Sequence, residues 1–133
     1  MKSLTIVADD RVGLLSDISY VLGKSKINIE SISVDVIGNK AVIVLTIKNS
    51  DKAREVLTGS GYSIEEDSVL VLKLDDKPGE LNRITSLLAD SGISIQNVQI
   101  LSRDGSQTVI GVVVDKPKKA EKILSDFLLT RES

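Results

Sequence analysis

Two acidic turns carry the residues of this chain that could do chemistry. The first reads Asp9-Asp10-Arg11-Val12-Gly13-Leu14-Leu15, and the second reads Asp75-Asp76-Lys77-Pro78-Gly79-Glu80-Leu81. In each turn, carboxylates and a basic residue precede a glycine, and a helix-like apolar pattern follows. Carboxylates can bind an ammonium group, whereas the unpaired N–H groups at a helix start favour a carboxylate. One turn could therefore address both charged groups of a zwitterion.

The glycines and the proline of these turns allow a binding interpretation and a structural one. Gly13 and Gly79 lack a Cβ, so that a ligand could approach the backbone closely. Pro78 suits the first position of a helix, where its missing N–H is not needed. Alternatively, the aspartates only cap the helix, the glycines only make a tight entry, and Glu80 only adds favourable charge to the first turn. The residues alone leave both interpretations open.

Hydrophobic periodicity places the first turn between a strand and a helix, at the start of a βαββαβ order. A change of phase between Ile29 and Ile32 implies a bulge, or a loop before the second strand proper. Gly38-Asn39 predicts a hairpin turn, and Asn49 predicts a helix cap. The predicted elements are a strand over 4–8, a helix from Gly13 to about 24–26, strands around 32–36 and over 41–47, a short helix around 53–57 and an edge strand over 62–66.

The same order then begins again, which indicates an internal duplication. The second copy repeats the strand over 68–74, the helix after Gly79, a hairpin at Asp104-Gly105 and a strand over 109–114. Too few residues follow Phe127 for a clear final strand, so we expect one sheet edge to be open or covered by a partner. The predicted domains are 1–66 and 67–133.

Composition excludes several classes of function. The 133 residues include no cysteine and no histidine, which removes thiol and histidine catalysis and the usual zinc ligands. A net charge of −2 offers no basic surface for nucleic acid or anionic lipid. The N-terminal residues do not resemble a signal peptide, and no apolar run is long enough for a membrane span. We expect a cytoplasmic protein without a cofactor or a metal.

The central strands are apolar at nearly every position, which is typical of a sheet covered on both faces. Residues 41–45 and 109–114 show this pattern. Either these strands have tolerant outer faces, or sheets pack on sheets in a homodimer or a higher oligomer.

The duplicated pattern Asp-(Arg/Lys)-(Val/Pro)-Gly-x-Leu, between the first strand and helix of each copy, resembles that of ACT domains. The second copy keeps the usual proline, whereas Val12 departs from it in the first. The resemblance implies an α+β fold of two ferredoxin-like βαββαβ repeats, with antiparallel sheets and helices on one face. The few residues after Phe127 leave the second repeat without a clear final strand. The resemblance also implies regulatory binding of an amino acid or related metabolite at interfaces between paired ACT domains.

The resemblance further implies that the start of the second strand of a neighbouring domain completes each site. Asn28 and Ser94 occupy that position in the two copies, and the amide of Asn28 offers both donors and an acceptor. We expect the turn of the second copy, with Asn28, to be the better site. The predicted ligand-binding residues are Asp10, Arg11, Val12, Gly13, Leu14, Asn28, Asp76, Lys77, Pro78, Gly79, Glu80, Leu81 and Ser94.

The predicted function is therefore that of a regulatory amino-acid-binding protein that acts on an enzyme or a transcription factor. The alternative is a ligand-independent module for oligomerisation or docking. An enzyme is not expected, since no catalytic constellation or phosphate-binding loop is present. RNA-binding relatives of the fold stack bases on strand aromatics, which the central strands lack.

Overall fold

Two repeats of the same fold make up the computed structural model, which describes residues 2–65 and 69–129. The elements of the first repeat are β1 (Lys2–Asp9), α1 (Leu14–Lys24), β2 (Ser31–Ile37), β3 (Lys40–Ile47) and α2 (Ser50–Gly59). Those of the second are β4 (Leu70–Asp75), α3 (Glu80–Asp90), β5 (Ile95–Arg103), β6 (Gln107–Val114) and α4 (Pro117–Ile123). Each repeat forms a compact unit. The predicted boundary between residues 66 and 67 lies outside the described residues.

Each unit contains an antiparallel sheet of three strands, in the order β1-β3-β2 in the first unit and β4-β6-β5 in the second. The chain then returns beside the first strand of its unit, where Ile64 bridges to Ile6 and Leu128 bridges to Leu72. The βαββαβ order and the antiparallel sheets are therefore confirmed. The second repeat lacks a full final strand, as predicted, and the first repeat ends in the same kind of short bridge.

The unpaired sheet edges differ from the edge that the sequence suggested. We expected an open edge where the second repeat ends, but Leu129 N–H donates to the carbonyl of Val71 over 2.8 Å at that place. Among the described residues, β2 pairs only with β3 and β5 pairs only with β6. Within the described residues, β2 and β5 are therefore outer strands of the two sheets.

The change of phase in the apolar pattern around the second strand corresponds to a different backbone structure in each repeat. In the first repeat, β2 begins only at Ser31, after a loop. In the second repeat, β5 begins at Ile95 and has a register shift between Ile95 and Asn97. Both solutions suggested by the sequence, a loop entry and a bulge, therefore occur.

The helices pack on one face of each sheet through the predicted apolar stripes. Ile18 and Leu22 of α1 and the equivalent Ile84 and Leu88 of α3 are almost completely buried. They contact the inward side chains of the strands, which form one core in each unit. Burial of such a side chain contributes about 1.5–3 kcal/mol to folding, so each helix start is firmly held at the end of β1 or β4. No helix within 2–65 and 69–129 is long and apolar enough to cross a membrane.

Candidate functional site

Both acidic turns have the same backbone conformation. Leu14 N–H donates to the Arg11 carbonyl, and Glu80 N–H donates to the Lys77 carbonyl, each over 3.3 Å. Gly13 has φ 87° and ψ 1°, and Gly79 has φ 86° and ψ −11°. These are the angles of the third residue in a type II turn, which requires a positive φ. The first reason for each glycine is therefore the backbone conformation of the turn.

Pro78 has a role that differs from the one that we predicted. The helix α3 begins at Glu80 with Gly79 as its N-cap, so Pro78 is not the first helical residue. It is the second residue of the type II turn, where the fixed φ of proline fits. Val12 takes this position in the first turn, and its side chain is fully exposed.

Neither helix start is capped by a side chain. The structure shows no side-chain cap at Gly13 or at Gly79. The part of the structural interpretation in which the aspartates cap the helices is therefore wrong for both turns. The first backbone bonds of the helices run from Asp17 N–H to Gly13 and from Arg83 N–H to Gly79, both over 2.9 Å. Backbone donors at the two helix starts are consequently available to an external acceptor.

The charged residues of the first turn are mostly paired. The ammonium of Lys40 donates to Asp9 Oδ1 over 2.6 Å, and this hydrogen bond lowers the pKa of Asp9. The guanidinium of Arg11 donates to Asp17 Oδ2 over 2.7 Å, which raises the pKa of Arg11. The Asp10 backbone N–H donates to the carbonyl of Asn39 over 2.8 Å. Asp10 therefore has an anchored backbone and an exposed carboxylate.

The first unit has an open pocket of about 330 Å³ between this turn, the start of α1 and the inward face of the sheet. Leu14 and Ala41 are its buried apolar residues. Its lining consists of Asp10, Arg11, Gly13, Leu14, Leu15, Ser16, Val34 and Ala41. The pocket thus has charged groups at its mouth and an apolar floor.

The second unit has the equivalent pocket, with a smaller volume of about 90 Å³. The turn, α3 and the edge strand β5 contribute to it. Its lining consists of Leu74, Asp75, Asp76, Lys77, Glu80, Leu81, Val98, Ile100, Arg103, Thr108 and Ile110. Asp76 Oδ2 lies 3.7 Å from Arg103 Nε, and Asp75 Oδ2 lies 3.9 Å from Lys77 Nζ. Negatively and positively charged side chains therefore both line this pocket.

Two residues of the second pocket are both polar and buried. The side chain of Glu80 is 5% exposed, and its Oε1 accepts a hydrogen bond from Arg83. Thr108 is 7% exposed, and its Oγ1 has no hydrogen-bond partner. Sequence reasoning included Glu80 but missed Thr108 and Arg103. Comparison of the two repeats could have found Thr108, since it replaces an alanine in an otherwise apolar strand.

The structure brings together most, but not all, of the predicted site residues within a unit. Val12, Pro78 and Gly79 shape the turns but do not line the pockets. The pocket-lining residues among those predicted are Asp10, Arg11, Gly13 and Leu14 in the first unit, and Asp76, Lys77, Glu80 and Leu81 in the second. Whether these residues bind a ligand stays a prediction.

Asn28 and Ser94 lie away from the turn of their own unit. In the first sheet, Ser31 pairs with Thr46 at one end, whereas Asp9 pairs with Lys40 at the other. Asn28 accordingly lines a separate depression of about 230 Å³. In the second unit, Ser94 N–H donates to Asp115 Oδ1 over 2.9 Å. Their contribution to a site formed with a neighbouring domain stays a prediction. The described residues include no group of carboxylates that could hold a metal ion.

Comparison with known proteins agrees with the duplicated architecture. The family model of the ACT domain matches residues 2–58 and again residues 68–127. The chain is 28% identical over 127 residues to a probable transcriptional regulatory protein of Moorella thermoacetica, and the match covers 91% of this chain and 49% of that protein. The chain thus spans about half the length of this curated relative.

Comparison with solved structures finds similarity at low sequence identity. A protein from Bacteroides thetaiotaomicron superposes with a TM-score of 0.50 at 19% identity, over 97% of this chain and 91% of that one. The regulatory subunit of aspartate kinase from Thermus thermophilus has a TM-score of 0.44 at 13% identity, over 93% of this chain and 89% of that one. The two matches to the family model cover most of the sequence. The chain therefore belongs to the ACT domain family, with two copies of the domain in tandem.

Proposed function

We propose that this chain is a regulatory protein that senses an amino acid or a closely related metabolite at its acidic turns. Membership of the ACT family supports a regulatory, ligand-binding role. The pocket of the second unit is the observation that carries the finer proposal. There, an uncapped helix start, paired charges of both signs and an apolar wall meet within one small cavity.

The chemistry of that pocket matches the two ends of a free amino acid. The first-turn N–H groups of α3 and the cation of Lys77 favour a carboxylate. The carboxylate of Asp76, which is only partly exposed, favours an ammonium group. Leu81, Val98 and Ile100 offer apolar contact to a side chain. We further propose, as the family implies, that Asn28 or Ser94 of a neighbouring ACT domain closes the pocket.

A screen of thermal stability tests the proposal. An amino acid that binds the folded state should raise the melting temperature, because it adds about 2.7 kcal/mol to the free energy of unfolding when its concentration is one hundred times its Kd. Leu81→Arg should abolish the shift caused by an amino acid that binds the second pocket, because Leu81 lines that pocket. Leu87→Arg is the matched control, since Leu87 is also an exposed leucine of α3 but does not line the pocket.

The outcomes separate the site from the function. If none of the twenty amino acids shifts the wild type, the proposed sensing function is wrong. If Leu81→Arg responds as strongly as Leu87→Arg, an amino acid binds but not at this turn.

A second candidate function is ligand-independent oligomerisation or docking on a regulated enzyme or transcription factor. The outer strands β2 and β5 favour it, since Ile32, Val34 and Val36 on β2 and Val98 and Ile100 on β5 are exposed. Exposed apolar residues on an open strand edge usually mark an interface. This candidate predicts association that persists in the absence of amino acids and does not change when they are added.

A further inference from the structure

The two pockets differ at two equivalent positions. Leu14 and Glu80 each follow the glycine of the turn, as the first residue of α1 and of α3. Ala41 pairs with Ala8, and Thr108 pairs with Leu74, in each case one residue before the last residue of β1 or β4. The first pocket therefore has an apolar pair where the second pocket has a carboxylate and a hydroxyl.

Thr108 is the less expected of these polar residues. Its side chain lines the pocket of the second unit, and its Oγ1 is buried without a hydrogen-bond partner. A buried hydroxyl without a partner destabilises the folded state, so native proteins normally satisfy such groups. A group that enters the pocket can provide the missing bond.

Glu80 defines what that group must offer. Its carboxylate is buried and accepts one bond from Arg83, whose guanidinium carbon also lies 4.9 Å from the ring centre of Phe127. Arg83 therefore compensates the charge of Glu80 and holds it in place. An ionised carboxylate can only accept hydrogen bonds, whereas the Thr108 hydroxyl can accept or donate. A donor is the one type of group that both residues can bind.

We propose that the second pocket selects amino acids whose side chain carries a hydrogen-bond donor, a hydroxyl or an ammonium, which Glu80 and Thr108 bind together. The first pocket, with Leu14 and Ala41 at these positions, selects apolar side chains instead. The inference rests on the proposed function, because it concerns the selectivity of the same turns. One chain would thus carry two sensors with different specificities.

The test compares matched pairs of amino acids by calorimetric titration. L-threonine and L-valine have the same shape but differ in the hydroxyl, whereas L-lysine and L-norleucine differ in the terminal ammonium. The measurements use Leu15→Arg as background, since Leu15 lines the first pocket and an arginine there blocks it. In at least one pair, the donor-bearing member should bind about tenfold more tightly or better than its apolar counterpart. The pair that shows this preference distinguishes a hydroxyl from an ammonium ligand.

Substitution of Thr108 separates binding from a purely structural role. Thr108→Val should raise the melting temperature of the free protein, because it removes an unsatisfied hydroxyl, and should reduce the preference about fivefold. Thr46→Val is the control, since Thr46 lies on β3 of the first unit and lines neither pocket. The double variant Glu80→Leu with Thr108→Ala gives the second pocket the residues of the first and should invert the preference.

The outcomes distinguish this inference from the function on which it rests. If apolar and donor-bearing amino acids bind equally, and Leu81→Arg abolishes both, the turn is a site but the inference is wrong. If Thr108→Val changes stability and leaves the preference intact, Thr108 has only a structural role and the inference is also wrong. If no amino acid binds any variant, the proposed function fails and the inference fails with it.

Discussion

At the scale of single residues, the glycines of the turns have a conformational role that precedes any role in binding. Gly79 has a φ of 86°, and a Cβ built on it meets no atom within 4 Å. Space is therefore available, but the backbone conformation is unfavourable for an L-residue. The close approach of a ligand, which the sequence suggested as the reason for glycine, is therefore not the primary constraint.

We expect Gly79→Ala to lower the free energy of unfolding by about 1–2 kcal/mol, because alanine is strained in the left-handed region. Urea denaturation followed by circular dichroism measures the change. Gly23→Ala is the matched control: Gly23 lies in α1 with equal space for a Cβ and has no positive φ. It should stabilise the helix by about 0.5–1 kcal/mol. Equal effects of the two substitutions would contradict the argument from φ.

The ion pair between Asp9 and Lys40 makes a prediction about pH. The pKa of Asp9 is lower in the folded protein than its ordinary value of 3.8, mainly because Lys40 donates a hydrogen bond to it. A carboxyl with a lowered folded-state pKa stabilises the protein above its unfolded pKa, and this contribution disappears as the pH falls through the folded pKa. The pair therefore matters at neutral pH and is lost in acid.

We expect Lys40→Gln to raise the titration midpoint of the Asp9 carboxyl towards 3.8. An NMR titration of the side-chain carboxyl carbon measures this midpoint. Lys48→Gln serves as the control, because Lys48 lies 3.9 Å from Glu30 and belongs to another ion pair. An unchanged midpoint in Lys40→Gln would show that the pair does not persist in solution.

At the scale of elements, the type II turn explains why the two copies differ by a proline. Pro78 and Val12 occupy the same second position, and the glycines that follow have nearly the same φ and ψ. The first turn thus already has the geometry that proline favours, and the Val12 side chain is too exposed to contribute packing.

We expect Val12→Pro to stabilise the protein by about 0.4–1 kcal/mol, because proline restricts the unfolded chain more than valine does. The midpoint of urea unfolding should rise at constant slope. Val12→Ala removes the same side chain without fixing φ and should change stability by less than about 0.5 kcal/mol. Destabilisation by proline would mean that Arg11 cannot adopt the extended conformation required before it.

Much of the element structure could be predicted from periodicity. The helix-like apolar pattern after Gly13 correctly predicted α1, and Gly38-Asn39 correctly predicted the hairpin between β2 and β3. Asn49 was correctly predicted as a cap, since its Oδ1 accepts a hydrogen bond from Lys52 N–H. Which strands lie at the outside of each sheet was not predictable in this way, because strand order is a property of the fold and not of any one strand.

The pockets were predictable only in part, for a related reason. The turn residues adjoin in sequence, so a motif finds them. Thr108 and Arg103 line the pocket because β6 pairs with β4 and β5 in a particular register. The sequence of one strand does not determine that register. Local pattern therefore located the turn but not the opposite wall of its pocket.

At the scale of the whole molecule, the exposed apolar residues of the outer strands bear on self-association. Ile32 lies on the outer strand β2 and pairs with Leu45 on the side of the sheet that faces the helices, yet its side chain is 47% exposed. An exposed apolar residue on an open edge favours pairing with another chain. The sheet-on-sheet arrangement suggested by the sequence stays a prediction.

We expect the wild-type protein to be a dimer or larger, and Ile32→Lys to shift it towards the monomer, because a lysine opposes edge pairing. Sedimentation velocity over a range of concentrations measures the distribution. Val12→Lys is the control, since Val12 is exposed but lies on a turn away from the strand edge. A wild type that sediments as a monomer at all concentrations would contradict the oligomer, and equal effects of both substitutions would contradict the role of the edge.

The shared turn also bears on how easily the specificity of this protein can change in evolution. Its backbone is held between a strand and a helix, in a left-handed conformation that glycine adopts without strain, so the backbone frame around a ligand is formed before binding. A rigid receptor loses little conformational entropy on binding. The residues at positions 14 and 41, or 80 and 108, lie on that frame and differ between the copies without altering it. Selectivity can therefore diverge by exchange of side chains alone, and gene duplication leaves one copy free to change while the other keeps its original preference.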